Sequence, residues 1–97
     1  MAAKHTRTQA AYKAAAPLIK ELKTELARSR APIIAVASYI GVSRTTLYAW
    51  LGGFVPMRAK YHDAVSRTSS VLRELTIKGE LEKKTAGEVL QRLRRYG

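Results

Sequence analysis

The sequence predicts an all-α fold of about five helices. Apolar residues recur at steps of three and four along most of the chain, which is the spacing of one face of a helix. No stretch alternates apolar and polar residues for long enough to require a sheet. Of the 97 residues, 46% are hydrophobic and 26% are charged, which is the composition of a chain that folds around a core. A chain of this length makes one domain with a modest core.

The charge balance is strongly basic. Eighteen Lys and Arg residues face seven Asp and Glu residues, which gives a formal net charge of +11. Such an excess attracts polyanions, so nucleic acid, anionic membranes and acidic proteins all qualify as partners. The chain has no Cys, and His5 and His62 are too far apart for ligand spacing, so we expect no metal and no cofactor. No apolar run is long enough for a signal peptide or a membrane span, so we expect a cytoplasmic protein without a membrane partner.

Two prolines predict where the first two helices begin. Residues 1–16 are rich in Ala and basic residues, and they are interpreted as a flexible basic arm. This arm is either a frayed tail or an extra helical turn, or it lies along a phosphate backbone. Pro17 is favoured at a helix start, so the first helix is predicted over 17–29. Pro32 in turn opens a short, strongly apolar helix over 33–40.

A tight turn and a third helix come next. Gly41 ends the second helix, because glycine accepts the left-handed conformation that such a turn needs. Ser43 is a favourable N-cap for a helix over 44–51. The Gly-Gly pair at 52–53 ends that helix.

The C-terminal part predicts two further helices. A long helix is expected over 57–78, with a break allowed at the Ser- and Thr-rich stretch 66–70, where side chains compete for backbone hydrogen bonds. Gly79 is its expected C-cap. Thr85 and Glu88 have the spacing of a capping box, which predicts a last helix from about residue 86.

A resemblance to known proteins lies in residues 33–50, IIAVASYIGVSRTTLYAW. This segment resembles the helix-turn-helix of bacterial and phage DNA-binding regulators, with small Ala37 where the two helices cross and Gly41 at the turn. The run GVSRTTLY is similar to the start of the recognition helix in resolvases, Tet-repressor-like proteins and phage repressors. GFVP at 53–56 and the helix after it resemble the lambda-repressor/Cro type loosely, so the subfamily stays open. The apolar residues at the required offsets are Val36, Ile40, Val42, Leu47 and Trp50, and we expect them to be buried where the two helices face each other and the helix behind them.

The resemblance implies that the second helix of this motif, residues 44–51, enters the major groove of DNA, with its N-terminal residues against base edges. The base-reading candidates are Ser43, Arg44, Thr45 and Tyr48. Arg44 suits a bidentate contact to guanine O6 and N7, and a phosphate contact is the alternative. The phosphate candidates are Thr46, Arg28, Arg30, Arg58 and Lys60, and for the four basic ones ordinary solvated charge is the alternative.

The sequence therefore predicts a DNA-binding core over 17–56 and a C-terminal helical region over 57–97. The latter either completes the monomer core or makes a homodimer or higher homo-oligomer, and it can add phosphate contacts. The predicted function is a sequence-specific transcription regulator that binds double-stranded DNA, such as a bacterial or phage repressor. The alternatives are a phage small terminase subunit, the DNA-binding component of a recombinase, and a nonspecific RNA or membrane binder. No catalytic cluster is apparent, so no enzyme is expected.

Overall fold

The computed structural model describes residues 2–96, with side-chain surroundings for residues 10–96. A short 3-10 helix, Ala59–Tyr61, lies between the third and fourth α helices. No strand occurs among residues 2–96. The prediction of an all-α fold with about five helices is confirmed. The helices are α1 (Ala2–Ser29), α2 (Ile33–Ile40), α3 (Arg44–Leu51), α4 (His62–Ile77) and α5 (Ala86–Tyr96).

Helix α1 begins at Ala2 rather than at Pro17, so the predicted boundary is wrong. Pro17 lies inside the helix with its ring exposed. The preceding residues are rich in Ala, which has the highest helix propensity, and Ala15 is buried in the core. Propensity and packing together continue the helix through the proline, despite the backbone hydrogen bond that proline cannot donate. The basic side chains within residues 1–9, which the predicted phosphate-binding arm requires, lie outside the described part of the chain.

The core is shared by all five helices. Helix α1 packs mainly along α4, and α2 packs against α5, α3 and α4. Full burial of one aliphatic side chain stabilises a fold by about 1.5–3 kcal/mol. Each helix supplies at least one side chain with no exposed surface: Leu22, Val36, Leu47, Leu72 and Leu93.

The segment after α3 departs from the predicted helix over 57–78. Met57 is buried in the core, and Arg58 has an extended backbone with φ −65° and ψ 147°. An extended residue cannot continue a helix, so the chain first forms the 3-10 turn and α4 begins only at His62.

The Ser- and Thr-rich middle of α4 does not break the helix. The Thr68 hydroxyl donates to the carbonyl of Ala64 at 2.6 Å, and the Ser69 hydroxyl donates to the carbonyl of Val65 at 3.2 Å. Both hydroxyls bond one helical turn back, so they do not compete for the N–H groups of the helix. Both side chains can therefore be buried between α4 and its neighbours.

Helix α5 begins with the predicted capping box. The Thr85 N–H donates to Glu88 Oε1 at 3.0 Å, and the Glu88 N–H donates to Thr85 Oγ1 at 3.2 Å. The predicted pairing is confirmed, and it fixes the start of the helix that packs against α2. None of the helices formed by residues 2–96 combines the length and the apolar character needed to cross a membrane.

Candidate nucleic-acid interface

Helices α2 and α3 are joined by three residues, 41–43. Gly41 has φ 96° and ψ 30°, and its N–H donates to the carbonyl of Ala37 at 2.9 Å. The Val42 N–H donates to the same carbonyl at 3.0 Å. Both predicted helix ranges, 33–40 and 44–51, are confirmed. The turn depends on a left-handed residue at its first position, which is the conformation that glycine adopts without steric cost.

Ser43 caps α3 as predicted. Its Oγ accepts from the Thr46 N–H at 3.1 Å, and its hydroxyl donates to Thr46 Oγ1 at 2.9 Å. The Leu47 N–H donates to the Ser43 carbonyl at 3.1 Å. The first turn of α3 is therefore held rigidly by its own cap, and it carries the partial positive charge of a helix N-terminus.

The inner face of this helix pair is buried as predicted. Leu47 and Trp50 of α3 are buried, as are Val36, Ala37 and Ile40 of α2, while Val42 and Tyr39 are half-buried against the core. The predicted core position of Trp50 is confirmed.

Trp50 has a partner that the sequence did not suggest. Its ring centroid lies 5.1 Å from that of Tyr61, at an interplanar angle of 53°. Tyr61 lies in the 3-10 turn, so the pair fixes α3 to the segment before α4. The two residues are separated along the chain by an irregular loop, and no periodic pattern links them.

The outer face of α3 is polar and open to solvent. All four predicted base-reading residues, Ser43, Arg44, Thr45 and Tyr48, are exposed, and the exposed fraction of Tyr48 is 54%. Residues 10–96 hold all seven acidic residues, and none of these forms an ion pair with Arg44. The Arg44 guanidinium is thus available to a ligand, beside hydroxyl groups that can donate or accept.

Some phosphate candidates adjoin α3. Thr46 is half-buried, and its hydroxyl oxygen already accepts from Ser43. Arg58 lines a cavity of about 460 Å³ together with Thr46 and Trp50. Lys60 is exposed, with Nζ 5.1 Å from the centroid of the Tyr61 ring. The structure therefore brings Arg58 beside α3, although the two are separated in sequence.

The other phosphate candidates adjoin the start of α2. Arg28 and Arg30 are exposed and line a second cavity together with Pro32. The same cavity is lined by Lys83 and Lys84, which the sequence did not single out. The predicted basic residues thus form two groups rather than one cluster. No local sequence pattern predicts that Lys83 lies near Arg30, because their proximity depends on how the α4–α5 connection packs.

Comparisons of the chain with protein-family models, with curated proteins and with solved structures gave no match. Within the described part of the chain, no three His, Asp or Glu side chains come together in a way that could hold a metal ion.

Proposed function

We propose that this protein binds double-stranded DNA in a sequence-specific manner, with α3 in the major groove. We propose further that it acts as a transcription regulator of bacterial or phage type in the cytoplasm. Support comes from the pair of helices α2 and α3 with its three-residue turn, because helix-turn-helix proteins present their second helix to the major groove in this way.

The observation that carries the proposal is the outer face of α3. It presents an arginine without a carboxylate partner among the described residues, together with Ser43, Thr45 and the exposed Tyr48. A guanidinium in this position suits guanine O6 and N7, and the hydroxyl groups suit bases or phosphates. A B-DNA major groove, about 12 Å wide, admits an α-helix, whose diameter with side chains is about 10–12 Å.

Charge placement agrees with this role. Arg44 is the only charged residue in 31–56, so the other seventeen Lys and Arg residues lie outside that range. Phosphate contacts supply much of the affinity of such proteins but little of their specificity. We therefore expect specificity from the outer face of α3 and a strongly salt-dependent affinity from the basic residues around it.

Selection from a random duplex pool tests the proposal. The full chain is expected to enrich one short site, and Arg44→Ala is expected to relax the selection at one or two positions of that site. Single-stranded RNA of random sequence serves as a competitor and should displace the duplex weakly. Equal binding to every duplex, or stronger binding to the RNA, would contradict sequence-specific DNA binding.

The number of subunits in the free protein, determined from its mass by light scattering, distinguishes a transcription regulator from a DNA-packaging protein. A dimer would place two α3 helices on half-sites about 34 Å apart, and the selected site should then be a pseudo-palindrome. An assembly of eight or more subunits would instead favour a phage small terminase subunit.

A further inference from the structure

A basic cavity lies where α1 ends, α2 begins and the α4–α5 connection passes. Its volume is about 590 Å³. Four basic residues line it, Arg28, Arg30, Lys83 and Lys84, against one acidic residue, Glu82. Four positive charges against one negative charge leave an excess of three. We refer to it as the Arg30–Lys83 cavity.

The backbone at this cavity is unusual. Among the described residues, Arg30 and Lys83 are the only non-glycine residues with positive φ, and both have φ 55°. A left-handed conformation is costly for a residue with a Cβ, and such strained residues concentrate at functional sites. Both are basic, and both line the same cavity.

The link between α1 and α2 holds Arg30 in this conformation. Its N–H donates to the carbonyl of Leu26 at 3.0 Å. The next N–H, of Ala31, donates to the buried Ser29 Oγ at 3.2 Å. The local hydrogen bonds therefore fix the backbone and leave the Arg30 side chain exposed at the cavity.

The carboxylates of this chain neutralise little of the positive charge at the cavity. Arg28 Nη1 is 4.0 Å from Glu25 Oε2, and that oxygen already accepts from Arg73 Nε at 3.3 Å. Within residues 10–96, no carboxylate forms an ion pair with Arg30 or Lys83. The arrangement is that of a site for an external anion, because guanidinium and ammonium groups are the side chains that bind phosphate.

We propose that the Arg30–Lys83 cavity binds a backbone phosphate group of the same DNA duplex that α3 reads. This inference rests on the proposed function. Pro32 lines the cavity and immediately precedes α2, and α2 is joined to α3 by a three-residue turn. In helix-turn-helix proteins the first helix of the motif crosses the DNA backbone while the second lies in the major groove. With α3 in the groove, the start of α2 and the cavity beside it would lie toward the backbone, where a phosphate group is the available anion.

Glycine variants test the proposal, because glycine keeps the left-handed backbone and removes only the side chain. Arg30→Gly and Lys83→Gly, combined in the full chain, should weaken binding to the selected duplex and to unrelated duplexes about equally, by about tenfold or more at low salt. The slope of log affinity against log salt should fall by about one for each phosphate group that the variant no longer binds. Tm should stay the same or rise, because the strain is relieved.

The matched control is Lys20→Gln with Lys23→Gln, which removes two charges from exposed positions on α1 that do not line this cavity. An equal loss of affinity in this control would mean that net charge alone matters, and it would overturn the assignment. Unchanged affinity and salt slope in the glycine variant would overturn it as well, while leaving duplex binding by the wild-type chain intact. If the wild-type chain bound no duplex at all, both proposals would fall.

A titration with inorganic phosphate identifies the source of the anion. Backbone amide NMR signals of Arg30 and Lys83 should shift with duplex, and they should shift only weakly and without saturation with millimolar phosphate. Saturable binding of free phosphate, combined with unchanged duplex affinity of the glycine variant, would assign the cavity to a small anion and overturn the duplex assignment.

Discussion

Arg73 of α4 donates from Nε to Glu25 Oε2 of α1 at 3.3 Å, across the largest helix–helix interface of the fold. The Glu25 side chain is 5% exposed, whereas the Arg73 side chain is 45% exposed. Arg73 Nη2 also donates to Glu21 Oε1 at 3.1 Å. Glu25 Oε1 is buried and has no hydrogen-bond partner in the described part of the chain. Arg28 of the same helix is farther from this carboxylate, at 4.0 Å, so Arg73 of the opposite helix is its main partner.

Replacing this arginine should destabilise the protein. Arg73→Ala leaves Glu25 buried without its main partner and is expected to lower the free energy of unfolding by about 2 kcal/mol. The double variant Arg73→Met with Glu25→Leu should recover most of the loss, because it removes both charges together. Urea unfolding followed by circular dichroism measures these values. Arg67→Ala, at an exposed position of the same helix, is the control and should change stability by less than about 0.5 kcal/mol. Equal losses at both positions would contradict the proposed dependence.

Two glycines should respond to alanine in opposite directions. Neither Gly41 nor Gly87 has any atom within 4 Å of a Cβ built on it, but only Gly41 has positive φ, 96°. Gly41→Ala should cost about 1–2 kcal/mol from backbone strain alone. Gly87→Ala, in the first turn of α5, should stabilise by up to about 0.5–1 kcal/mol through helix propensity. Thermal and urea unfolding measure the stability of the two variants. A change of the same sign in both free energies of unfolding would contradict the prediction.

Ser43 allows capping to be separated from DNA binding. Ser43→Ala removes the acceptor for the Thr46 N–H and should cost about 1 kcal/mol of stability. Ser43→Asp keeps a good cap and should preserve stability, but its negative charge should repel DNA phosphates and lower duplex affinity. Ser43→Asn keeps the cap without the charge and is the control. If Asp and Asn variants bound duplex equally well, Ser43 would lie away from the DNA.

Arg44 should show whether α3 reads bases. Arg44→Ala is expected to cost about 1–3 kcal/mol on the selected duplex and clearly less on a duplex with a substitution at the contacted guanine. Fluorescence anisotropy with both duplexes at fixed salt measures the difference. Arg67→Ala again provides a charge-matched control, with equal small effects on both duplexes. A uniform loss on all duplexes would make Arg44 a phosphate contact.

The capping box of α5 should be visible in a titration. The backbone N–H of Thr85, followed by its hydroxyl, lowers the pKa of Glu88 below its ordinary value of 4.5 because both stabilise the carboxylate. Lys84 and Arg92 add smaller electrostatic contributions in the same direction. Since the folded pKa is lowered, this contribution to stability is complete above the unfolded value and is lost as pH falls through the folded value. NMR titration of the Glu88 carboxyl carbon measures the pKa, and Thr85→Ala should raise it part of the way. An unshifted pKa in the wild-type chain would contradict the observed hydrogen bonds.

Two predicted helix boundaries are wrong. Pro17 is typical of a helix start, but the helix propensity of the Ala-rich segment before it and the burial of Ala15 together carry α1 back to Ala2. Met57 has good helical neighbours in sequence, yet its burial and the extended Arg58 delay α4 until His62. Helix propensity is a weak preference, and a buried side chain can override it.

Local sequence patterns were enough to predict the all-α class, the ranges of α2 and α3, the Gly41 turn and the caps at Ser43 and Thr85. These features depend on hydrogen bonds and side-chain spacing within a few residues, so neighbouring residue types are enough to predict them. Local patterns did not predict that Arg73 pairs with Glu25, that Tyr61 packs on Trp50, or that Lys83 lines the same cavity as Arg30. Such pairs join residues far apart in the chain, and their meeting depends on how the whole core packs rather than on any local pattern.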